Sequence, residues 1–497
     1  MKKVVIIGSG FSGMSTASFM AQQGWEVVVL EKQSTPGGRG RAFSKDGFLF
    51  DMGPSWYWMP DVFERYFNSF GKKVSDYYDL IRLDPSYRVY YNDGPIDIPA
   101  NYEELKKVFE DIELGSGNQL DLFLKEAAYK YQVGINKLVH KPGRKIAEFF
   151  DLDLAKGLFK LDVFTSMEKH VRKYFKHPKL IQLMEFPVLF LGALPADIPA
   201  LYSLMNYADI KLGTWYPKGG MCNIADAMYK LALDLGVKFQ FNTDVTKIEV
   251  LNKRAKKVIA STRNNDNEIS IEFDADVVVG SADYHFIETQ LLDQENRSYT
   301  NEYWDKRVMA PSCLLYYIGL NKKLTNITHH SLFFDVDFNQ HGHEIYTKPQ
   351  WPSAPLFYVS ATSVTDDTVA PNGCENLFFL IPIAAGLEGD DEKLREEYFD
   401  KIVARYEYFT GQEIKDAIVY KKSYGVSDFK KDYNAFKGNA YGLANTLMQT
   451  SILKPSLKSK KVSNLFYAGQ LTVPGPGVPP SLISGEVVAN EINKSYK

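Results

Sequence analysis

The sequence predicts an α/β fold: a βαβ unit at the N-terminus, a mixed β-sheet further along and a helical region between them. Three observations lead there. Residues 3–31 run from a β-branched stretch through a glycine-rich turn and a helical stretch into a second β-branched run. Tyr87–Pro99 and residues 310–435 read as strands, with a helix near Asp391–Tyr408. Residues 101–215 read as helical. A chain of 497 residues exceeds what one core usually spans, so two or three domains are expected.

The N-terminal elements follow in order. Lys3–Ile7 is a short apolar run of the kind buried in a parallel sheet. It enters Gly8-Ser9-Gly10-Phe11-Ser12-Gly13, and Met14–Gln23 then reads as a helix closed by Gly24. Trp25–Leu30 is the second strand, ending at Glu31. The three glycines act differently. Gly8 permits the tight turn, Gly10 lets backbone approach a pyrophosphate, and Gly13 lets helix and strand pack closely. Unpaired N–H groups at the helix start attract phosphate. Glu31 stands where an acid accepts ribose hydroxyls, with Lys32 beside it. This is a Rossmann-type dinucleotide site, and Phe11 and Ser12 belong to its phosphate loop. Next comes Pro36-Gly37-Gly38-Arg39-Gly40-Arg41, a loop able to clamp a second face of a pyrophosphate through Gly38, Arg39 and Arg41. Asp51-Met52-Gly53-Pro54-Ser55 follows.

Distant segments suit the closure of such a site. Trp215-Tyr216-Pro217-Lys218-Gly219-Gly220-Met221 precedes an expected helix, Ile224–Leu235. Phe239–Ile248 reads as one strand containing Val245, and Ala275–Gly280 as a buried strand running into Asp283. Asn464–Ala468 is a strand ending in Gly469-Gln470. Pro474–Pro480, with Val478 and Pro479, is glycine- and proline-rich and leads into a helix over Ser481–Asn493. Glycines at a helix start expose backbone N–H groups to a polar ring edge, and the prolines, which have no N–H, set the turn that presents them.

Composition narrows the function. The net charge of −3 argues against a nucleic-acid partner. Cys222, Cys313 and Cys374 are far apart and odd in number, which suits free thiols in a reducing compartment. The histidines show no metal-ligand spacing; His329-His330 and His341–His343 read as loop. The apolar run Val4–Ile7 is too short for a signal-peptide core, and no run is long enough to span a bilayer. Leu183–Met205 is apolar but broken by prolines, and Lys156–Lys179 mixes basic and apolar residues. Together they read as interfacial helices, giving a cytoplasmic protein that lies on a membrane.

GSGFSG, PGGRGR, DMGPSWYWMP, WYPKGGM, VVVGSADYH and NLFYAGQLTVPGPGVPPSLISGEVVAN, in this order, resemble the bacterial phytoene desaturases and related carotenoid desaturases of the amine-oxidase-like superfamily. The resemblance implies FAD as cofactor and removal of hydrogens from an acyclic carotenoid such as phytoene by hydride transfer to flavin. It also implies reoxidation by a quinone or oxygen, and a FAD domain of residues 1–82, 216–290 and 440–497. Residues 83–100 and 291–439 would then form the substrate sheet, and 101–215 the membrane-associated helical region. In such relatives a residue of the Val245 strand touches adenine, and an acid usually stands where Gln470 is found. Asp151 and Asp153 match a proposed base loosely, and Trp56, Tyr57 and Trp58 are candidates for the ring end of a substrate tunnel. Three other readings compete: a later-acting carotenoid 3,4-desaturase on hydroxylated or monocyclic substrates, an amine oxidase, and a prenyl-lipid-binding protein of the GDP-dissociation-inhibitor type without flavin. A hydrocarbon of about forty carbons gains roughly 30 kcal/mol on leaving water. Noncovalent affinity saturates near roughly 20 kcal/mol, so such a substrate comes from a bilayer.

Overall fold

The computed structural model describes residues 2–144, 161–189, 191–264 and 267–496. Its first layer is a five-stranded parallel sheet in the order Leu465–Tyr467, Val277–Gly280, Lys3–Ile7, Glu26–Leu30 and Lys238–Gln240. Val4–Ile7 and Val277–Val279 are buried on both faces, which explains why these strands are continuously apolar rather than alternating. On one face the first helix, Phe11–Gln22, packs against the last, Val478–Tyr496. A Cβ on Gly485 would stand 2.6 Å from the Ser12 carbonyl oxygen, so glycine sets how closely these helices approach. Ser15 Oγ then donates to the Leu482 carbonyl at 2.7 Å.

The expected strand Phe239–Ile248 is two strands. Asn242 takes a left-handed backbone (φ 52°) and splits it. Lys238–Gln240 joins the parallel sheet, while Thr243–Leu251 turns away into a three-stranded antiparallel sheet with Arg254–Asn264 and Asn267–Asp274.

The second layer is a seven-stranded mixed sheet, in the order Ile418–Tyr424, Ser312–Leu320, Glu375–Ile383, Phe357–Ser360, His330–Phe333, Tyr87–Tyr91 and Gly94–Ile98. One pairing, His330–Phe333 with Tyr87–Tyr91, is parallel. The two-residue side-chain period sorts the faces. Leu314, Tyr316, Ile318, Phe379 and Ile381 pack under the helix Glu392–Thr410. Cys313, Leu315, Tyr317, Leu332, Tyr358, Phe378 and Leu380 join the large core shared with the parallel-sheet domain. This inner face positions the site. Leu80–Arg82 pairs antiparallel with Trp215–Pro217, so the chain enters and leaves the helical region side by side.

Two expectations need correction. His330 begins a strand and is fully buried, His329 is buried beside it, and His341 and His343 lie in the helix Phe338–Tyr346. Their polar neighbours hid elements defined by long-range pairing. Within the apolar stretch expected to be interfacial, Leu183, Met184, Phe186, Val188 and Leu191 are packed in the large core. Among the described residues no helix is long and apolar enough to cross a membrane.

Candidate cofactor and substrate site

The phosphate loop is built as its glycines require. Gly8 has φ 99°, and a Cβ there would press on Ala282 N at 3.1 Å. A Cβ on Gly13 would stand 2.1 Å from the Gly8 carbonyl oxygen. Gly10 is the opposite case, because nothing lies within 4 Å of where its Cβ would be. No side chain caps the helix that begins after Gly10, which leaves its first N–H groups to face that space. Glu31 closes the second strand: its carboxylate accepts from Ser9 N and Ser9 Oγ at 2.7 Å and from Gln33 N at 2.9 Å.

The Gly37–Arg41 loop is fastened onto this cradle. Gly37 N donates to the Ser9 carbonyl at 3.0 Å, and Gly38 packs on Gly10. Arg39 is buried. Its Nη2 donates to the Asn439 carbonyl at 3.1 Å, its guanidinium lies 5.1 Å from the Tyr433 ring centroid, and its Nε has no partner among the described residues. Burial lowers its pKa, opposed by nearby Asp283. Asp283 itself caps a short helix through Phe286 N and accepts from Phe436 N at 3.1 Å. Arg41 points elsewhere, to Gln33 Oε1 (2.8 Å) and the Tyr433 hydroxyl (3.2 Å). Lys32 reaches the Lys431 carbonyl at 2.9 Å.

Asp51 ties two distant motifs together. Its carboxylate accepts from Met221 N and Cys222 N, both at 2.8 Å, at the start of the helix Cys222–Asp234. Burial raises its pKa to about 6 against these bonds. A Cβ on Gly53 would strike the Arg39 carbonyl at 2.4 Å, so the Gly53-Pro54-Ser55 turn lies directly against the arginine loop. Beyond it the Trp56 ring stacks on His330 (4.2 Å, 14°) over the inner face of the mixed sheet. Phe186, Tyr87 and Tyr358 surround Trp56. Tyr57 turns into the core, stacked on Phe63 and bonded to Tyr78, whereas the Trp58 indole donates to Thr214 Oγ1 at 2.8 Å.

The C-terminal tail comes back to the first loop. Gly469 has φ 117°, and its Cβ would stand 3.1 Å from Ser12 Oγ; its N–H donates to Ser484 Oγ at 3.0 Å. Gln470 Nε2 donates to Asn439 Oδ1 at 2.9 Å. Gly477 is exposed, and Val478 and Pro479 are half-buried in the first turn of the last helix. Val245 is buried in the apolar cluster of Val5, Ile7, Val28 and Leu30. The structure thus brings Gly8–Gly13, Glu31, Gly38, Arg39, Gly53, Asp283 and Gly469 together, while Lys32 and Arg41 anchor residues 431–433. Asp151 and Asp153 lie outside the described residues. Sequence reasoning missed the 431–439 segment, whose Tyr433 and Asn439 meet both arginines and Gln470. It carries no motif, and its asparagines gave no signal.

An open space at Gly10, uncapped N–H groups and a buried arginine with an orphaned Nε suit the pyrophosphate of a dinucleotide, and the residues fit FAD. Fold and site define a flavin-dependent oxidoreductase. Residues 11–493 match the family of flavin-containing amine oxidoreductases, and the chain belongs to it, in the carotenoid desaturase branch. It is 41% identical to a carotenoid 3,4-desaturase of Haloarcula japonica, over 98% of this chain and 97% of that one. It is 29% identical to a zeta-carotene-forming phytoene desaturase of Myxococcus xanthus, over 99% and 94%. Among solved structures, putrescine oxidase with bound putrescine superposes with a TM-score of 0.63 over 99% of each chain at 13% identity, a likeness of fold.

Proposed function

We propose that this FAD-dependent oxidoreductase introduces a carbon–carbon double bond at the 3,4 position of a carotenoid. The observation that carries the reading is the 41% identity, spanning almost the whole chain, to a relative of that activity, against 29% to a phytoene desaturase. An apolar, aromatic inner sheet face beside the flavin loops supports a hydrocarbon substrate. When bound, FAD would supply a two-electron acceptor for the substrate's hydride.

The protein's own part is to bind, orient and dry the reacting carbons. Gly10, Arg39 and the first helix would hold the phosphates, and Glu31 would accept from the ribose. Asp51 locks the Met221–Cys222 turn, and Gly53-Pro54-Ser55 carries the chain from the cofactor to Trp56. The aromatic rings around Trp56 confine a flat conjugated chain and exclude water. His330 is held neutral by burial and shares a hydrogen bond with the Tyr358 hydroxyl (2.6 Å), so the inner face there adds no charge. Asp151 or Asp153 would receive the departing proton. A quinone or oxygen would reoxidise the cofactor. The substrate would arrive from a membrane, where exposed Leu447, Met448 and Leu453, with Val308 hydrogen-bonded to Gln449 beside them, offer an apolar contact.

The test is incubation of the purified flavoprotein with liposomes holding either phytoene or carotenoids saturated at the 3,4 position. New long-wavelength bands from the 3,4-saturated substrates are expected. Bands from phytoene alone would move the activity to the early desaturations, and no bands from either would refute carotenoid desaturation.

A further inference from the structure

The tail that closes the site rests on a buried cation. Lys454 is 5% exposed, and its Nζ donates to Asn445 Oδ1 at 2.8 Å. Among the described residues no carboxylate pairs with it, although lysines this deep are almost always paired. Burial lowers its pKa to about 7. The ammonium lies 3.3 Å from where a Gly475 Cβ would stand, and Asn445 Oδ1 3.1 Å from the same point. Gly475 precedes by two residues the exposed Gly477 backbone that opens the last helix. Thr472 Oγ1 donates to the Pro455 carbonyl at 2.7 Å and pins the residue after Lys454 to the tail.

Among the described residues this buried ammonium has one neutral side-chain partner, which leaves its charge available to a ligand. A carotenoid hydrocarbon carries no charge, and the cofactor's phosphates are met at the other end by Gly10 and Arg39. We propose that Lys454 is the counter-ion of the flavin ring, set behind the Pro474–Pro480 tail to balance the negative charge the ring gains on reduction. This rests on the reading of that tail as the ring site. Forming the double bond removes a hydride and a proton from adjacent carbons. The hydride brings the ring two electrons and one proton, leaving one net negative charge, and the second proton goes to a base or water. The quinone or oxygen later takes the two electrons back. A cation at the ring edge favours the reduced state.

The experiment measures the flavin midpoint potential of the holoenzyme against a reference dye, without carotenoid, for wild type and for Lys454→Met, Lys454→Gln and Lys454→Arg. The two neutral variants are expected at more negative potential, with the preference for reduced over oxidised FAD weakened at least tenfold, and Lys454→Arg near wild type. The Lys454→Met apoprotein should melt higher than wild type at pH 6, because an unpaired buried charge is gone. An unchanged potential in flavin-loaded Lys454→Met overturns the proposal. Loss of FAD from both neutral variants but not from Lys454→Arg supports it, and loss from all three makes the role steric and overturns it. A wild-type chain that takes up no FAD refutes the underlying reading instead.

Discussion

The nucleotide end of the site and its ring end are assembled in opposite ways. Gly8–Glu31 is one continuous segment in which each cradle residue lies close in sequence to the next structural element. The segments proposed for the ring end bring Asp51, Gly53, Met221, Asn439, Lys454 and Gly469 from across the sequence. Local chemistry fixes the first, because glycine geometry and helix-terminus N–H groups act over a few residues. Only the packing of two sheets brings the second together. Damage confined to the open side of the nucleotide end, as at Gly10, should therefore abolish cofactor binding with little effect on folding, whereas damage at the ring end should change stability and redox behaviour together.

The largest expected effect separates two neighbouring glycines. Gly10→Val has room for its side chain and should fold, at a cost of about 1 kcal/mol for an apolar residue at a helix N-cap. It should purify without flavin, since the valine fills the space a pyrophosphate needs. Gly13→Val should fail to fold, because its Cβ begins 2.1 Å from the Gly8 carbonyl. Flavin absorbance and thermal melting of both variants test the pair, and yellow Gly10→Val protein would contradict the placement. Next in size is Glu31→Ala, which removes the acceptor for Ser9 and Gln33. Hydrogen bonds to a charged group are worth about 1.5–3 kcal/mol, so FAD affinity by titration of apoprotein should fall about ten- to a hundredfold.

A smaller effect belongs to the ring end and depends on pH. The folded state raises the Asp51 pKa from 3.8 to about 6. A raised carboxyl pKa means that the folded protein holds a proton the unfolded chain has released. Asp51 therefore stabilises fully below about pH 4, and that contribution is lost as pH rises through 6. Asp51→Asn should flatten the decline between pH 4 and 6, by roughly 1–3 kcal/mol in chemical denaturation. An unaltered slope would mean that the carboxyl titrates normally. Smallest of all is Lys32→Ala. Its ammonium meets an exposed carbonyl away from the cradle, so FAD affinity should change less than about threefold. A larger loss would extend the nucleotide site to this side chain.

How legible the molecule was varies with distance along the chain. The βαβ unit, the helix over Glu392–Thr410 and the final helix were readable because their periodicity and glycine punctuation are local. His330 was misplaced because its strand is defined by partners at Tyr358–Ser360 and Arg88–Tyr90 rather than by its neighbours. Asn242 split a strand through one left-handed residue amid an otherwise extended pattern. Leu183–Met205 showed its apolarity plainly, yet which way that surface points depends on the core it meets.

The sequence by itself determined the dinucleotide cradle, the acid at its edge, the order of the flavin-family motifs and the absence of a spanning apolar run. Those features are set by backbone geometry and hydrophobic periodicity within a few turns. The tertiary structure decided that Asp51 caps the Met221 turn, that Arg39 is buried against Tyr433 and Asn439, and that the Trp56 ring faces His330. It also decided that Lys454 is buried behind the tail with Asn445 as its side-chain partner among the described residues. Each of these is a burial or pairing between residues far apart in the chain, and burial energy exists only once both surfaces have met.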